Sequence, residues 1–120
     1  MTEKYFFDSY AILEVVFGNP NYKKYFDVDV VTTKLNLFEV YHSLVRRLGH
    51  DLAQRTLNAY YEDVLDFDKK TIVTGAMLKM SQKQLSMADC IGYILSLQLG
   101  IKFLTGDKAF EHMENVEFVR

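Results

Sequence analysis

Three consecutive aromatic residues, Tyr5-Phe6-Phe7, run up to Asp8 and stop there. Side chains of a strand alternate between its two faces, so this run leaves no face for water. It predicts a short strand covered on both sides, the usual environment of a parallel sheet. A parallel strand cannot be followed by a tight hairpin; it needs a crossover, most often a helix. The aromatic run therefore commits the rest of the chain to alternating strands and helices.

The remaining pattern fits that commitment. From Ser9 to Phe17 the apolar positions suit a helix, which Gly18-Asn19-Pro20 stops; Asn19 and Pro20 then cap and open a short helix through Tyr25. Val28, Val30 and Val31 form a β-branched strand closed by Thr32-Thr33. In the long helix that follows, Leu37, Tyr41, Leu44, Val45 and Leu48 share one face, while Glu39, His42, Ser43, Arg46 and Arg47 share the other, and Gly49 ends it. A further helix covers roughly Asp51 to Tyr61, Val64-Leu65-Asp66-Phe67 is a short strand candidate, and Asp68-Lys69-Lys70 opens a helix to about Met80. Ser86 begins a helix that runs to Gly100. Ile101-Lys102-Phe103-Leu104 is a strand ending at Thr105-Gly106-Asp107, followed by a short helix to Met113 and a last strand, Val116-Glu117-Phe118-Val119. The expected fold is α/β: a three-layer α/β/α sandwich around a mostly parallel sheet, forming one domain over residues 1–120.

Composition narrows the function. Net charge is −2 and the pI about 5.9, too acidic for a protein that coats nucleic acid with a broad basic face. Carboxylates neutralised by a bound cation are not excluded by that balance. Cys90 is the sole cysteine, which rules out an internal disulfide and a cysteine-built metal site and suits a small buried apolar residue. No stretch approaches the roughly 20 apolar residues of a membrane span, and Met1-Thr2-Glu3-Lys4 leads into the first strand without a signal-peptide pattern. A cytoplasmic location is expected. His42, His50 and His112 lack paired ligand spacing and read as surface residues; Arg46-Arg47 and Lys69-Lys70 read as solvated helix faces, with contact to RNA backbone as the alternative. Met77, Met80 and Met87, with Tyr22, Tyr25, Phe26, Tyr60 and Tyr61, are expected in the core; the alternative is a subunit or partner surface.

Four acids carry the functional argument. In βαβ units the C-terminal ends of strands and the N-terminal ends of flanking helices share one sheet edge, where ligands of open α/β folds bind. Asp8 follows the first strand, and Asp107 follows the strand ending at Leu104. Glu39 lies early in the helix after the second strand, and Asp89 in the first turn of the helix leading to Phe103. All four map to that edge if strand order permits. Each also has a plain structural explanation. Asp8 and Asp107 suit helix caps, Ser86-Met87-Ala88-Asp89 matches a capping box, and Glu39 complements a helix dipole or heads a solvated stripe. The two readings coexist, since helix N-termini are where metal and phosphate sites are built. Four carboxylates together would repel; a hard divalent cation removes that cost.

These segments resemble the PIN-domain nucleases, most closely the compact toxins of VapBC-type toxin–antitoxin pairs. Asp8-Ser9 is similar to the family's opening acid with its small polar neighbour, and Asn36-Leu37-Phe38-Glu39 to its helical Glu segment. Ser86-Met87-Ala88-Asp89-Cys90 is similar to its Ala-Asp helix start, and Phe103 through Phe110 to its strand-Thr-x-Asp-x-x-Phe ending. The resemblance runs over nearly the whole chain, and the Asn36–Glu39 segment is its least distinctive part. It implies grouped acids at Asp8, Glu39, Asp89 and Asp107 holding one or two Mg²⁺ or Mn²⁺ ions, and hydrolysis of RNA phosphodiesters. It further implies a homodimer and, for the toxin branch, an inhibiting antitoxin. Ser9 and Thr105 are candidates to orient the carboxylates.

Three other readings remain at this point. A housekeeping RNA-processing nuclease of the same family differs from a toxin only in its context. A catalytically inactive PIN binding module would be expected to lack some of the acids. A phospho-acceptor receiver domain has a similar length and an acid at Asp66, but it needs paired acids after the first strand and a Lys after the last long one. Here Asp8 stands alone and Lys102 lies at the wrong end of its strand.

Overall fold

Phe6 and Phe103 are wholly excluded from water and stack with ring centroids 5.4 Å apart, across the pair of strands at the centre of the molecule. The computed structural model describes residues 3–120; Met1 and Thr2, the first half of the segment read above for a leader, lie outside the described residues. The chain runs β1 (Lys4–Phe7), α1 (Ser9–Val16), β2 (Asp29–Val31), α2 (Lys34–Leu48), α3 (His50–Tyr60), α4 (Lys69–Ser81), α5 (Met87–Leu99), β3 (Lys102–Thr105) and β4 (Val116–Phe118). Short 3₁₀ turns cover Pro20–Tyr25, Tyr61–Asp63 and Lys108–Phe110.

The four strands form one all-parallel sheet in the order β2-β1-β3-β4. Its two faces sort the aromatic run by parity. Tyr5 and Phe7, with Leu104, pack beneath Ile12, Leu37, Val40 and Leu44 of α1 and α2. Phe6 and Phe103 face Ile91, Ile94 and Leu95 of α5. Helices thus cover both faces, which gives the α/β/α layering expected from an unbroken apolar strand. Gly92 allows α5 to lie this close: a Cβ there would sit 2.6 Å from the Phe6 ring.

Three expectations fail for physical reasons. Val64-Leu65-Asp66-Phe67 is not a strand; Val64 makes one isolated bridge to Thr32 and Leu65 is exposed. The chain turns into the α2 cap at Thr33, so β2 has no further residue to pair with that segment. The helix expected to run to Met113 is a 3₁₀ turn over Lys108–Phe110. The methionines are not core: Met77, Met80 and Met87 are 61%, 70% and 63% exposed, and Phe26, Leu48 and Tyr61 also face outward. The buried residues on the side of α4 that meets α5 are small, Thr71 and Gly75, with Leu78 packed half-buried beside them, and a Cβ at Gly75 would already lie 3.0 Å from the Ile91 side chain. Close helix approach leaves no room for methionine there. Tyr22, Tyr25 and Cys90 are buried as expected. His42, His50 and His112 are all exposed, as expected of surface residues.

Candidate active site

Pairing Phe7 with Leu104 sets the C-terminal ends of β1 and β3 side by side. The sheet order reverses between these two strands, because β1 connects outward to β2 while β3 and β4 lie on its other side. This is the switch point at which open α/β sheets hold ligands. Asp8 leaves β1 and Asp107 follows β3 at that point.

Asp8 is 2% exposed. It caps α1, accepting the Ala11 N–H at 2.8 Å. Thr105 is fully buried; its hydroxyl accepts the Asp107 N–H at 3.0 Å, and its proximity to Asp8 favours the ionised carboxylate. Asp107 caps the following turn by accepting the Ala109 N–H at 3.0 Å. Between them Gly106 has no space for a side chain: a Cβ would lie 2.2 Å from the Val119 carbonyl oxygen and 2.3 Å from the Tyr10 ring. Gly106→Ala is expected to cost about 1–3 kcal/mol through overpacking, read as a lower urea midpoint. An unchanged midpoint would refute that close approach.

Asp89 completes a reciprocal capping box. It accepts the Ser86 N–H at 2.9 Å while the Ser86 hydroxyl accepts the Asp89 N–H at 3.1 Å. Glu39 lies in the second turn of α2 and accepts the Ser9 hydroxyl proton at 2.6 Å. The capping explanation therefore holds for Asp8, Asp89 and Asp107, and Glu39 is tied to α1 instead.

Capping does not remove the electrostatic problem. Burial pushes the Asp8 carboxyl up to about 8, against the lowering effect of Thr105 and Ala11, and the charges of Asp89 and Asp107 push it further. Burial likewise raises Asp89, with Glu39 and Asp107 adding to the shift. Asp8 and Asp89 thus each sense other acids across the edge. None is in an ion pair among the described residues, where the ion pairs are Arg55–Asp51 and His112–Glu111. Nor do any three His, Cys, Asp or Glu side chains among the described residues close up far enough to hold a metal ion unaided. Each acid has an oxygen engaged by a protein donor, which holds Asp8, Asp89 and Asp107 at their own helix starts and Glu39 against α1. A carboxylate offers about four lone-pair sites, so capping leaves acceptor capacity. An all-oxygen, cation-free set of this kind fits a hard divalent ion such as Mg²⁺ or Mn²⁺ by its donor chemistry.

Two residues escaped the sequence reading. Thr33 and Asn36 are fully buried, and with Ser9 they form a hydrogen-bonded chain that ends on Glu39. The signal was the three-residue step Thr33, Asn36, Glu39, which aligns a polar row along one side of α2. Arg46, Arg47, Lys69 and Lys70 are exposed.

The family model described as PIN domain matches residues 5–116. No curated protein sequence matches the chain. Among solved structures, VapC20 of Mycobacterium tuberculosis, described as a sarcin-ricin loop cleaving toxin, is similar at a TM-score of 0.77 and 16% identity; the match covers 97% of this chain and 99% of that one. A toxin–antitoxin complex from Klebsiella pneumoniae is similar at 0.74 and 16% identity, covering 93% and 94% of the two chains. VapBC2 from Rickettsia felis, bound to a DNA fragment from its promoter, is similar at 0.73 and 12% identity, covering 98% and 99%.

Proposed function

The chain belongs to the PIN-domain family, and on that premise we propose that it is a metal-dependent endoribonuclease, the toxin of a toxin–antitoxin pair, working as a single domain in the cytoplasm. The observation that carries the reading is Asp8: a buried carboxylate without a cationic partner, at the sheet's switch point, raised by two further acids. A group so costly to ionise is retained where a ligand offsets the charge. The similarity to toxin structures supports the toxin branch over an RNA-processing role. A cognate antitoxin and a homodimer go with that branch. Among the described residues no helix is long and apolar enough to cross a membrane.

Asp8, Asp89 and Asp107 would hold the ion, with Glu39 as a further ligand or as the acceptor of a water proton. When bound, Mg²⁺ or Mn²⁺ acidifies a water and neutralises charge on the phosphate. The protein's part is placement. Thr105 holds the Asp107 backbone through its hydroxyl and lies close enough to Asp8 to favour its ionised form. The Ser86 box fixes the rotamer of Asp89. Ser9 restrains Glu39 to the side of α2 that faces α1, where its carboxylate is kept as an acceptor.

Structured RNAs incubated with the purified protein should be cut with Mg²⁺ or Mn²⁺ and left intact in chelator, with single-stranded DNA of the same sequence cut far more slowly. Cleavage that persists at full rate in chelator would overturn the metal reading. Equal cleavage of the DNA would overturn the assignment to RNA.

A further inference from the structure

The chain of polar side chains behind Glu39 has a direction, and the direction is set by Asn36. The Thr33 hydroxyl accepts the Asn36 backbone N–H at 3.2 Å, so its proton is free to go to the Asn36 side-chain oxygen, 2.7 Å away. That fixes the amide: its oxygen faces Thr33 and its nitrogen faces Ser9, 3.2 Å from the hydroxyl oxygen. Ser9 therefore receives a hydrogen bond from Asn36 and gives its single proton to Glu39. Every donor in the row points toward the carboxylate. No buried side-chain polar atom among the described residues lacks a partner, so every member of the row is satisfied in this sense; the Asn36 backbone carbonyl oxygen, 3.4 Å from the Ser9 hydroxyl, is the longer alternative acceptor.

We propose that Asn36 is a positioning residue for the active site: it orients Ser9 so that the Glu39 carboxylate is held as an acceptor at the start of α1, beside the β1 end. The proposal rests on the reading of Glu39 as one of the metal-side acids. Asn36 touches neither metal nor substrate; it acts through Ser9. Its complete burial matters, because water cannot replace the amide and restore the direction of the row.

The isosteric change Asn36→Asp separates direction from shape. An aspartate keeps the side chain's outline and still accepts from Thr33, but the atom facing Ser9 becomes an acceptor. Ser9 has one proton and two carboxylates competing for it, so Glu39 loses its partner. Glu39→Gln then offers the remedy. The amide nitrogen that this change introduces can donate to the Ser9 oxygen, Ser9 donates to the aspartate, and the row is satisfied in the reverse sense.

The test is a double-mutant cycle on the metal-free protein, read by urea unfolding. Asn36→Asp alone should lower the midpoint by roughly 1 M. In the Asn36→Asp background, Glu39→Gln should recover most of that loss, while in the wild-type background Glu39→Gln should change the midpoint little. Additive effects, with no recovery in the double variant, would overturn the proposal. A purely spatial role for Asn36 predicts no recovery, and repulsion between the two carboxylates predicts a recovery that survives Ser9→Ala; only a role carried through Ser9 loses the rescue in a Ser9→Ala background.

Calorimetric titration with Mn²⁺ alone links the row to the site. Asn36→Asp and Ser9→Ala should weaken binding about 10- to 100-fold, as loss of outer-layer partners of a metal ligand does, while Ser9→Thr, which keeps the hydroxyl, should bind as wild type does. Should Asn36→Asp fail to fold, the Ser9→Ala and Ser9→Thr pair decides the matter. Full Mn²⁺ affinity in Ser9→Ala would overturn the positioning role. If the wild-type protein binds no Mn²⁺, the metal reading falls, and the urea cycle alone decides whether Asn36 sets the direction of the row.

Discussion

Asp8→Asn and Asp107→Asn should each reduce RNA cleavage by on the order of 10²- to 10³-fold or more, while circular dichroism still reports a folded α/β protein. Both parts follow from the contacts. An asparagine at 8 keeps a side-chain oxygen for the Ala11 N–H, and one at 107 keeps an oxygen for Ala109, so neither helix start is lost. What disappears is charge. A neutral amide is a poor ligand for a hard cation and cannot balance it at the phosphate. Asp8 should be the more sensitive position for cleavage, since it leaves the central strand between β2 and β3 and is buried where Asp107 is only partly so. Gel-based cleavage rates at saturating Mg²⁺ or Mn²⁺ measure the loss. Rates equal to wild type in either variant would remove that residue from the site. Unfolding of either variant would show that capping outweighs chemistry there.

The part of this molecule that could be read from sequence is the part fixed by local rules. Tyr5-Phe6-Phe7 has only one comfortable environment, and the sheet supplies it. Ser86 with Asp89 spelled a capping box, and the box is present. Strand order is different in kind. Nothing local in Phe103-Leu104 says that it pairs with Phe7, yet that pairing brings Asp8 beside Thr105 and Asp107. The row behind Glu39 was hidden for the same reason. Ser9 and Asn36 are 27 residues apart, and only the packing of α1 on α2 makes them partners.

The misread surface has a related cause. Val73, Met77 and Met80 recur at helical spacing and look like the buried stripe of α4, but periodicity cannot say which of two apolar sides is turned inward. Gly75 decides it, by allowing α4 to settle on Ile91, and the larger side chains are left outside. A small residue in an otherwise apolar helix was therefore the better marker of the contact.

The metal-free protein should be most stable on the acid side of neutrality, and Asp8 should be the cause. Its carboxyl has an ordinary value of 3.8 and is raised by burial to about 8 in the folded state. Between those values the unfolded chain has lost the proton while the folded chain keeps it. Stability then falls as pH rises, by at most about 1.4 kcal/mol per pH unit. Above about 8 both states are ionised and the loss levels off. Asp89 is shifted in the same direction and adds to the trend. Asp8→Asn mimics the protonated acid at every pH, so its melting temperature in chelator should decline less than that of wild type as pH rises from the acid side of neutrality to about 8. A divalent ion inverts the relation. It binds the ionised carboxylate, so below about 8 binding must release protons, and affinity should climb with pH. Saturating Mg²⁺ or Mn²⁺ should therefore raise the wild-type melting temperature most at the alkaline end of that range, by mass action on the folded state, and leave Asp8→Asn almost unmoved. Parallel pH profiles for the two proteins in chelator would mean that Asp8 is not the buried group that titrates. Equal gains on adding metal would mean that it is not the group the ion needs.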